Sequence, residues 1–342
     1  MEENNKTGLS GLVVKISVVI PTHNRCDALE QTLAALARQQ FSESWEAIVV
    51  NNNCTDQTDE VVLQMKFPVP LRLLHEKKPG ASAARNLGGF NANGQYLVFI
   101  DNDIITQPDF LSRHYVNLEK FENAWFVGHA ENLPELKKSI FGQFRNSLES
   151  VKLEGLHKTD GITGQNTSMP KANFVSLEGF DENFHVASGE DRELALRALE
   201  AGITIYADHS ITVLHNDWAG ASIGDYCKRQ RVYTQTEPYF WLKYGDKNPR
   251  MKLARENSSP QLAKDGIRLF TWKLVKSVLG SKPGQQVIIA ICEFFEKFIR
   301  VKPIVFRLYK LAIAGSIYKG FQEGMRTFNK TKTEQKSAVI QH

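Results

Sequence analysis

The sequence predicts an α/β protein with a mostly parallel, Rossmann-like sheet and a helical C-terminal extension. Three observations carry that expectation. Strand-like and helix-like periods alternate from Val14 to Ile100. The strand-like segments are near-continuous apolar runs, as in parallel sheets covered on both faces. Polar clusters fall where those runs stop, at the carboxyl ends where ligands of such sheets bind.

Taken in order, Val14-Lys15-Ile16-Ser17-Val18-Val19-Ile20 is a β-branched run ended by Pro21. Cys26 to Gln40 carries Leu29, Leu33, Leu36 and Ala37 at helical spacing. Trp45 to Val50 reads as a second strand, Thr55 to Met65 as a helix and Leu71 to His75 as a third strand. Ala81 to Phe90 reads as another helix, and Tyr96 to Ile100 as a short apolar strand stopping at Asp101. From about Asn123 the alternation gives way to a mixed region with long loops. A helix resumes at Glu190 to Ala201, followed by strand-like Ile203 to Tyr206 and Ile211 to Leu214. Beyond Ala221 the pattern is helical and basic. Gly245, Pro249, Asn257, Ser258, Ser259 and Pro260 mark a linker. The expected organisation is therefore an N-terminal tail (1–12), a main domain (13–245), a linker (246–261), a helical extension (262–325) and a flexible tail (326–342).

Composition narrows the classes. The 342 residues are 42% hydrophobic and 23% charged, ordinary for a globular chain and against wholesale disorder. Cys26, Cys54, Cys227 and Cys292 are widely spaced, which fits reduced thiols better than a disulfide framework or a zinc knuckle. Met1 to Ser10 is polar and lacks the apolar core of a signal peptide, so a cytoplasmic protein is expected. No apolar run is long enough for a simple membrane span. The net charge of +4 hides an asymmetry: residues 221–342 hold 23 Lys+Arg against 9 Asp+Glu, the first 220 hold 19 against 29. An acidic front half suits a metal-holding site, and a basic back half suits anionic partners such as nucleic acid or lipid headgroups.

Three clusters can carry chemistry. Asp101-Asn102-Asp103, delivered by an apolar strand, puts two carboxylates where they can hold Mg²⁺ or Mn²⁺ and, through it, a diphosphate. The same pair could equally cap the helix starting near Pro108. Gly80-Ala81-Ser82-Ala83-Ala84-Arg85-Asn86-Leu87-Gly88 offers small residues for close approach and Arg85 as a planar fork for phosphate. Tight helix–sheet packing with Arg85 as a surface charge is the alternative. Gly189-Glu190-Asp191 opens a helix, where acids complement the dipole or supply a general base. His215, at a strand end, is a further metal-ligand candidate or simply a hydrogen-bonded residue.

In this order the segments resemble family 2 glycosyltransferases with the A-type (GT-A) nucleotide-sugar fold, over roughly Val14 to Asn216. Val18-Val19-Ile20-Pro21-Thr22-His23-Asn24-Arg25 looks like that family's first strand and nucleotide loop, and Ala84-Arg85-Asn86-Leu87-Gly88 like its Ala-Arg-Asn-x-Gly element. Asp101-Asn102-Asp103 fills its DxD slot. Gly164-Gln165-Asn166-Thr167-Ser168-Met169 and Glu178-Gly179-Phe180-Asp181-Glu182 resemble its acceptor-side segment, and Gly189-Glu190-Asp191 its ED element. The resemblance implies a nucleotide-sugar half (about 13–105) and an acceptor half (about 106–245). It implies an inverting hexosyltransferase-type enzyme, with UDP-sugars favoured as donors and a hydroxyl acceptor in polysaccharide, glycolipid or other cell-envelope glycan synthesis. Asp191 would be the base, with Glu190 orienting the acceptor. Pro21, Thr22, Asn24, Arg25, Asn51, Asn53, Arg85, Asp101 and Asn102 would bind the donor, and Asp103, Asp101 and His215 the Mn²⁺ or Mg²⁺. Asn51 departs from the pattern, standing where the family carries an acid, and Met169-Pro170-Lys171 departs from its basic acceptor segment.

A sugar-nucleotide nucleotidyltransferase, a glycoside hydrolase and a catalytically inactive relative are the competing classes. The first wants a Gly-rich phosphate loop, the second needs no nucleotide pocket, and the third would have lost the acids. Nucleic acid is not an expected partner. Apolar positions flanked by Lys and Arg over 284–320 suggest peripheral contact with the inner face of the cytoplasmic membrane, or else helices that pack on the main domain or form a dimer interface.

Overall fold

The computed structural model describes residues 13–148, 153–184, 186–245 and 251–340. The expected tail 1–12 and residues 246–250 of the expected linker lie outside the described residues. The chain forms two compact units, one from Met1–Glu131, Lys152–Glu182 and Asp191–Asn216, the other from Asn132–Val151, Asn183–Glu190 and Asp217–His342.

The first unit is α/β. Strand β1 (Ile16–Thr22) leads to helix α1 (Cys26–Leu36), β2 (Trp45–Asn51), α2 (Thr58–Gln64), β3 (Leu71–His75), α3 (Ala81–Asn91) and β4 (Tyr96–Phe99). Short β5 (Ile104–Ile105), α4 (Phe110–Lys120), β6 (Ala124–Asn132), β7 (Leu156–Lys158), β8 (Thr167–Pro170), α6 (Lys171–Ser176), α7 (Glu190–Glu200) and β9 (Thr204–His215) complete it, with α5 (Ile140–Asn146) falling in the second unit. The sheet order is β3-β2-β1-β4-β8-β6-β9-β5, with β7 on β9. Strands β3, β2, β1 and β4 run parallel to one another, whereas β8 runs antiparallel to both β4 and β6, and β9 antiparallel to both β5 and β7.

The continuous apolar runs now have their reason. Val18 and Ile20 face one core with Leu29, Leu33 and Phe110. Val19, Ile48 and Val50 face the other with Ala84, Phe99, Phe174 and Leu194. Both faces are buried, so neither can be polar. Helix α3 lies close enough that a Cβ on Gly88 would come within 2.4 Å of Val19 Cγ1, so its small residues do serve packing. Where sequence suggested two strands, Ile203–Tyr206 and Ile211–Leu214, one strand spans both: the polar stretch between them stays extended because β7 pairs with it at Tyr206 to Asp208.

The second unit is helical: α5 (Ile140–Asn146), α8 (Ile223–Tyr233), α9 (Glu237–Tyr244), α10 (Met251–Asn257), α11 (Leu262–Gly280), α12 (Lys282–Phe294) and α13 (Lys302–Ile340). Phe141 and Phe144 of α5 share a core with Ile223 and Cys227 of α8, Ile288 and Cys292 of α12, and Val305, Tyr309 and Ala312 of α13. This regroups the expected domains, because 132–148 and the described residues from Asp217 onward group with the C-terminal helices rather than with the sheet. Two boundaries also change. The polar stretch taken as linker contains helix α10, whose Asn257 is buried and bonded to Lys276 at 2.8 Å. The expected flexible tail is the continuation of α13 to Ile340.

Candidate active site

The candidate site is built where β1, β2 and β4 end. Register sets Thr22 beside Asn51, and Asn51 beside His75. Asn24 and Arg25 follow β1 with φ of 60° and 65°, a left-handed conformation uncommon for non-glycine residues, which asparagine tolerates better than arginine.

Asp103 lies just beyond β4, buried, at the start of β5. Because Ile104 pairs with His215 in the β5–β9 ladder, His215 Nε2 comes to 3.3 Å from Asp103 Oδ2. Arg25 Nη1 donates to the same oxygen at 2.7 Å, while Arg25 Nη2 donates to the Asn216 carbonyl at 3.1 Å. Burial alone would raise the Asp103 pKa, but hydrogen bonding and charge from His215 and Arg25 hold it below the usual carboxylate range. Its Oδ1 is buried and accepts no hydrogen bond among the described residues. An ionised carboxylate with one uncommitted buried oxygen beside an imidazole fits a hard divalent cation.

Asp101 and Arg85 form a second pair, Arg85 Nη2 donating to Asp101 Oδ1 at 2.8 Å. Arg85 is 3% exposed, so the surface-charge alternative is ruled out. Its guanidinium rests over the Phe180 ring at 5.6 Å. A Cβ at Gly164 would sit 2.2 Å from Arg85 Nη2, so a larger residue there would have to displace the guanidinium. Asp191 feels both partners. Burial raises its pKa and the Asp101 charge adds to that, against a backbone hydrogen bond from Arg192 at 2.7 Å and the Arg85 charge. Glu190, one residue earlier, is buried and belongs to the second unit.

The remaining predicted donor residues divide by what their side chains already do. Pro21 is half-buried in β1, opposite Val50. Asn102 donates to Thr22 Oγ1 at 2.8 Å and to the Asn24 carbonyl at 3.2 Å, tying the loop after β4 to the loop after β1. Asn24 Oδ1 accepts from Thr55 N at 2.8 Å, and Asn53 Nδ2 donates to the Lys77 carbonyl at 3.1 Å. Asn51 is buried with both amide atoms in use: Oδ1 accepts from Cys54 N at 2.8 Å, and Nδ2 donates to Asp59 Oδ1 at 2.6 Å.

That last contact exposes a residue that sequence reasoning passed over. Asp59, in the first turn of α2, is bonded to His75 Nε2 at 2.8 Å as well as to Asn51, and its side chain is 40% exposed. The His75 and Asn51 hydrogen bonds hold it below the ordinary carboxylate range. A carboxylate from the following helix thus stands against Asn51 at the end of β2. Its sequence signal, an acid in a first helical turn, is the same as any dipole-complementing acid. Asn86, given no role of its own by the sequence motif that contains it, accepts from Phe180 N at 2.8 Å and donates to the Phe180 carbonyl and Glu182 Oε1, both at 2.9 Å, clamping 178–182 to α3. Asn166 likewise scaffolds, bonding the Ile211 carbonyl and buried His114, whose pKa burial pushes down to about 4.

Residues 17–151 match the model of the family described as Glycosyl transferase family 2. Validoxylamine A glucosyltransferase of Streptomyces hygroscopicus subsp. jinggangensis (strain 5008) is 27% identical over 246 residues, covering 62% of this chain and 56% of its own. Chondroitin synthase of Escherichia coli is 23% identical over 273 residues, 67% of this chain and 39% of its own. This chain thus spans about half the length of such curated relatives. Among solved structures, mannosyltransferase PcManGT from Pyrobaculum calidifontis, in complex with GDP-Man and Mn²⁺, superposes with a TM-score of 0.58 at 16% identity, covering 90% of this chain and 88% of that one. That likeness establishes the GT-A type of α/β fold.

Proposed function

For a chain whose residues 17–151 belong to glycosyl transferase family 2, we propose that it is an inverting, metal-dependent glycosyltransferase using a nucleotide-sugar donor. The observation that carries this reading is the division of labour among three acids. Asp103 is ionised with a free buried oxygen, Asp101 is paired with Arg85, and Asp191 is held with a raised proton affinity beside that pair. Different environments for neighbouring carboxylates assign them different chemistry.

Asp103 and His215, with Asp101 adjacent, would hold Mn²⁺ or Mg²⁺. Bound there, the cation supplies charge neutralisation for the donor diphosphate. Arg85 lies close enough to Asp101 to share that anion. The acceptor oxygen attacks the anomeric carbon from the face opposite the diphosphate, the new C–O bond forming as the bond to the phosphate oxygen breaks. Asp191 takes the hydroxyl proton, and its raised pKa makes it a stronger base than an exposed aspartate. The donor base lies at the ends of β1 and β2, where Asp59 offers a carboxylate to its ring N–H; a UDP-sugar is favoured. The acceptor is a hydroxyl of a cell-envelope glycan or a lipid-linked sugar, with the enzyme acting on the inner face of the cytoplasmic membrane through peripheral contact.

Thermal-shift screening of UDP-, GDP- and dTDP-sugars, with and without Mn²⁺, tests the proposal. Stabilisation by one nucleotide class, enhanced by Mn²⁺, is expected. Asp103→Ala should abolish the Mn²⁺ enhancement and cost on the order of 100-fold or more in turnover. A folded Asp103→Ala protein with full Mn²⁺ response would remove Asp103 from the metal site. The anomeric configuration of the product, read by NMR, decides inversion.

A further inference from the structure

The corner between α12 and α13 exposes apolar side chains that a soluble helical unit has no reason to place there. Helix α12 ends in a π-type turn, Phe295–Ile299, where Arg300 N bonds the Phe295 carbonyl at 2.8 Å. Arg300 then takes φ 55°, and α13 starts with Lys302 and Pro303. The extra residue of a π turn rotates the following side chains out of the α-helical register. Phe294 and Phe298 are 51% and 62% exposed, with ring centroids 5.0 Å apart, and Ile299, Val301 and Ile304 are exposed beside them. Contiguous exposed apolar groups of this kind mark interaction sites.

The charges around this corner select the partner. Lys297, Arg300, Lys302, Arg307 and Lys310 are all exposed, and Lys297 Nζ lies over the Phe298 ring at 5.2 Å. Two acids stand near these five cations, Glu293 and Glu296; Glu296 is half-buried and accepts from Tyr309 Oη at 2.6 Å, so the cations outnumber the acids at the corner. Glu293, exposed, stands one residue before Phe294. No helix of the described residues is long and apolar enough to cross a membrane. An aromatic and aliphatic tip ringed by cations suits the boundary between headgroups and acyl chains, where the side chains insert and the cations meet phosphate.

We propose that the α12–α13 corner, rather than the whole of 284–320, is the seat of this protein on an anionic lipid bilayer. Elsewhere in that stretch Ile288, Cys292, Val305, Tyr309 and Ala312 are buried in the core of their own unit, while Val287 and Ile291 extend the exposed apolar face up α12 from the corner. Vesicle binding by the full chain, without donor or acceptor, tests the proposal independently of the transferase reading. Vesicles of phosphatidylcholine are compared with vesicles containing phosphatidylglycerol, at low and high salt. The expected result is sedimentation with the anionic vesicles only, weakened by salt. Phe298→Ser/Ile299→Ser should weaken it on the order of tenfold or more. Arg300→Gln/Lys302→Gln should weaken it roughly 25-fold, about fivefold for each cation near an anionic surface. Circular dichroism and thermal melting check that each variant is folded, and the charge variant tests the corner if the apolar one is not. Failure of the full chain to sediment with anionic vesicles overturns the proposal, as does wild-type binding by both folded variants. A dimer in light scattering that the Phe298→Ser/Ile299→Ser change dissociates would also overturn it, making a second copy the occupant.

Discussion

Asp191 shows how an environment turns an ordinary residue into a candidate base. In water its carboxylate would be a weak proton acceptor; burial and the Asp101 charge raise its affinity for a proton. The base form exists only above that raised pKa, so activity should fall as pH drops through a value above the usual aspartate range. The acid limb of kcat/KM against pH measures this. Asp191→Asn should bind donor normally and lose roughly 100- to 10,000-fold in turnover; loss of donor binding instead would make Asp191 a structural or metal-site group. Asp59 makes the complementary case for the base-binding end. Asp59→Asn keeps the shape and the Asn51 neighbourhood but offers an amide where a ring N–H needs an acceptor. Calorimetric titration should show UDP affinity lower by about tenfold or more, and an unchanged UDP affinity would exclude Asp59 from base binding.

At the scale of elements, strand ends and helix starts decide what the side chains can reach. Strand β5 contains only Ile104 and Ile105, yet its pairing with β9 is what brings His215 to Asp103. Helix α11 carries a different burden. Lys273 and Lys276 are almost fully buried, Lys273 bonded to Asp265 at 2.7 Å and Lys276 to Asn257 and the Glu256 carbonyl. Burial lowers the Lys276 pKa to about 8. Between about 8 and 10.5 the unfolded chain holds a proton that the folded chain has released, so this lysine adds stability as pH rises through that window. Denaturant unfolding from pH 7.5 to 10 should show that gain in the wild type and not in Lys276→Met. Parallel pH profiles would mean the lysine stays charged in the folded state.

At the scale of the molecule, the C-terminal helices are part of a core rather than an appendage. Ile288, Cys292, Val305, Tyr309 and Ala312 cover Phe141, Phe144, Ile223 and Cys227, which lie far earlier in the chain. Tyr309 alone makes edge and tilted ring contacts with Phe141 and Phe144 at 5.1 and 5.2 Å. A chain ended after Pro260 should therefore expose that aromatic cluster, aggregate on expression and lose the unfolding transition of the helical unit. A monodisperse truncated protein with native near-ultraviolet circular dichroism would show that the core closes without α11 to α13.

The sequence by itself determined the parallel half of the sheet, because strands buried on both faces must be apolar throughout, as Val18, Val19 and Ile20 are. It also placed Asp101, Asp103 and Asp191 at strand or helix ends, since those ends follow directly from where apolar runs stop. Tertiary structure alone decided which of these groups meet. His215 reaches Asp103 through a two-strand register, and Asp59 reaches Asn51 by folding back from α2; neither spacing has a local signature. The C-terminal helices needed the same information. Their apolar positions look alike in sequence, but packing buries Ile288 and Val305 and leaves Phe298 and Ile299 in the open. A periodic pattern records that a helix has apolar side chains, and only the packed neighbours decide which of them are covered.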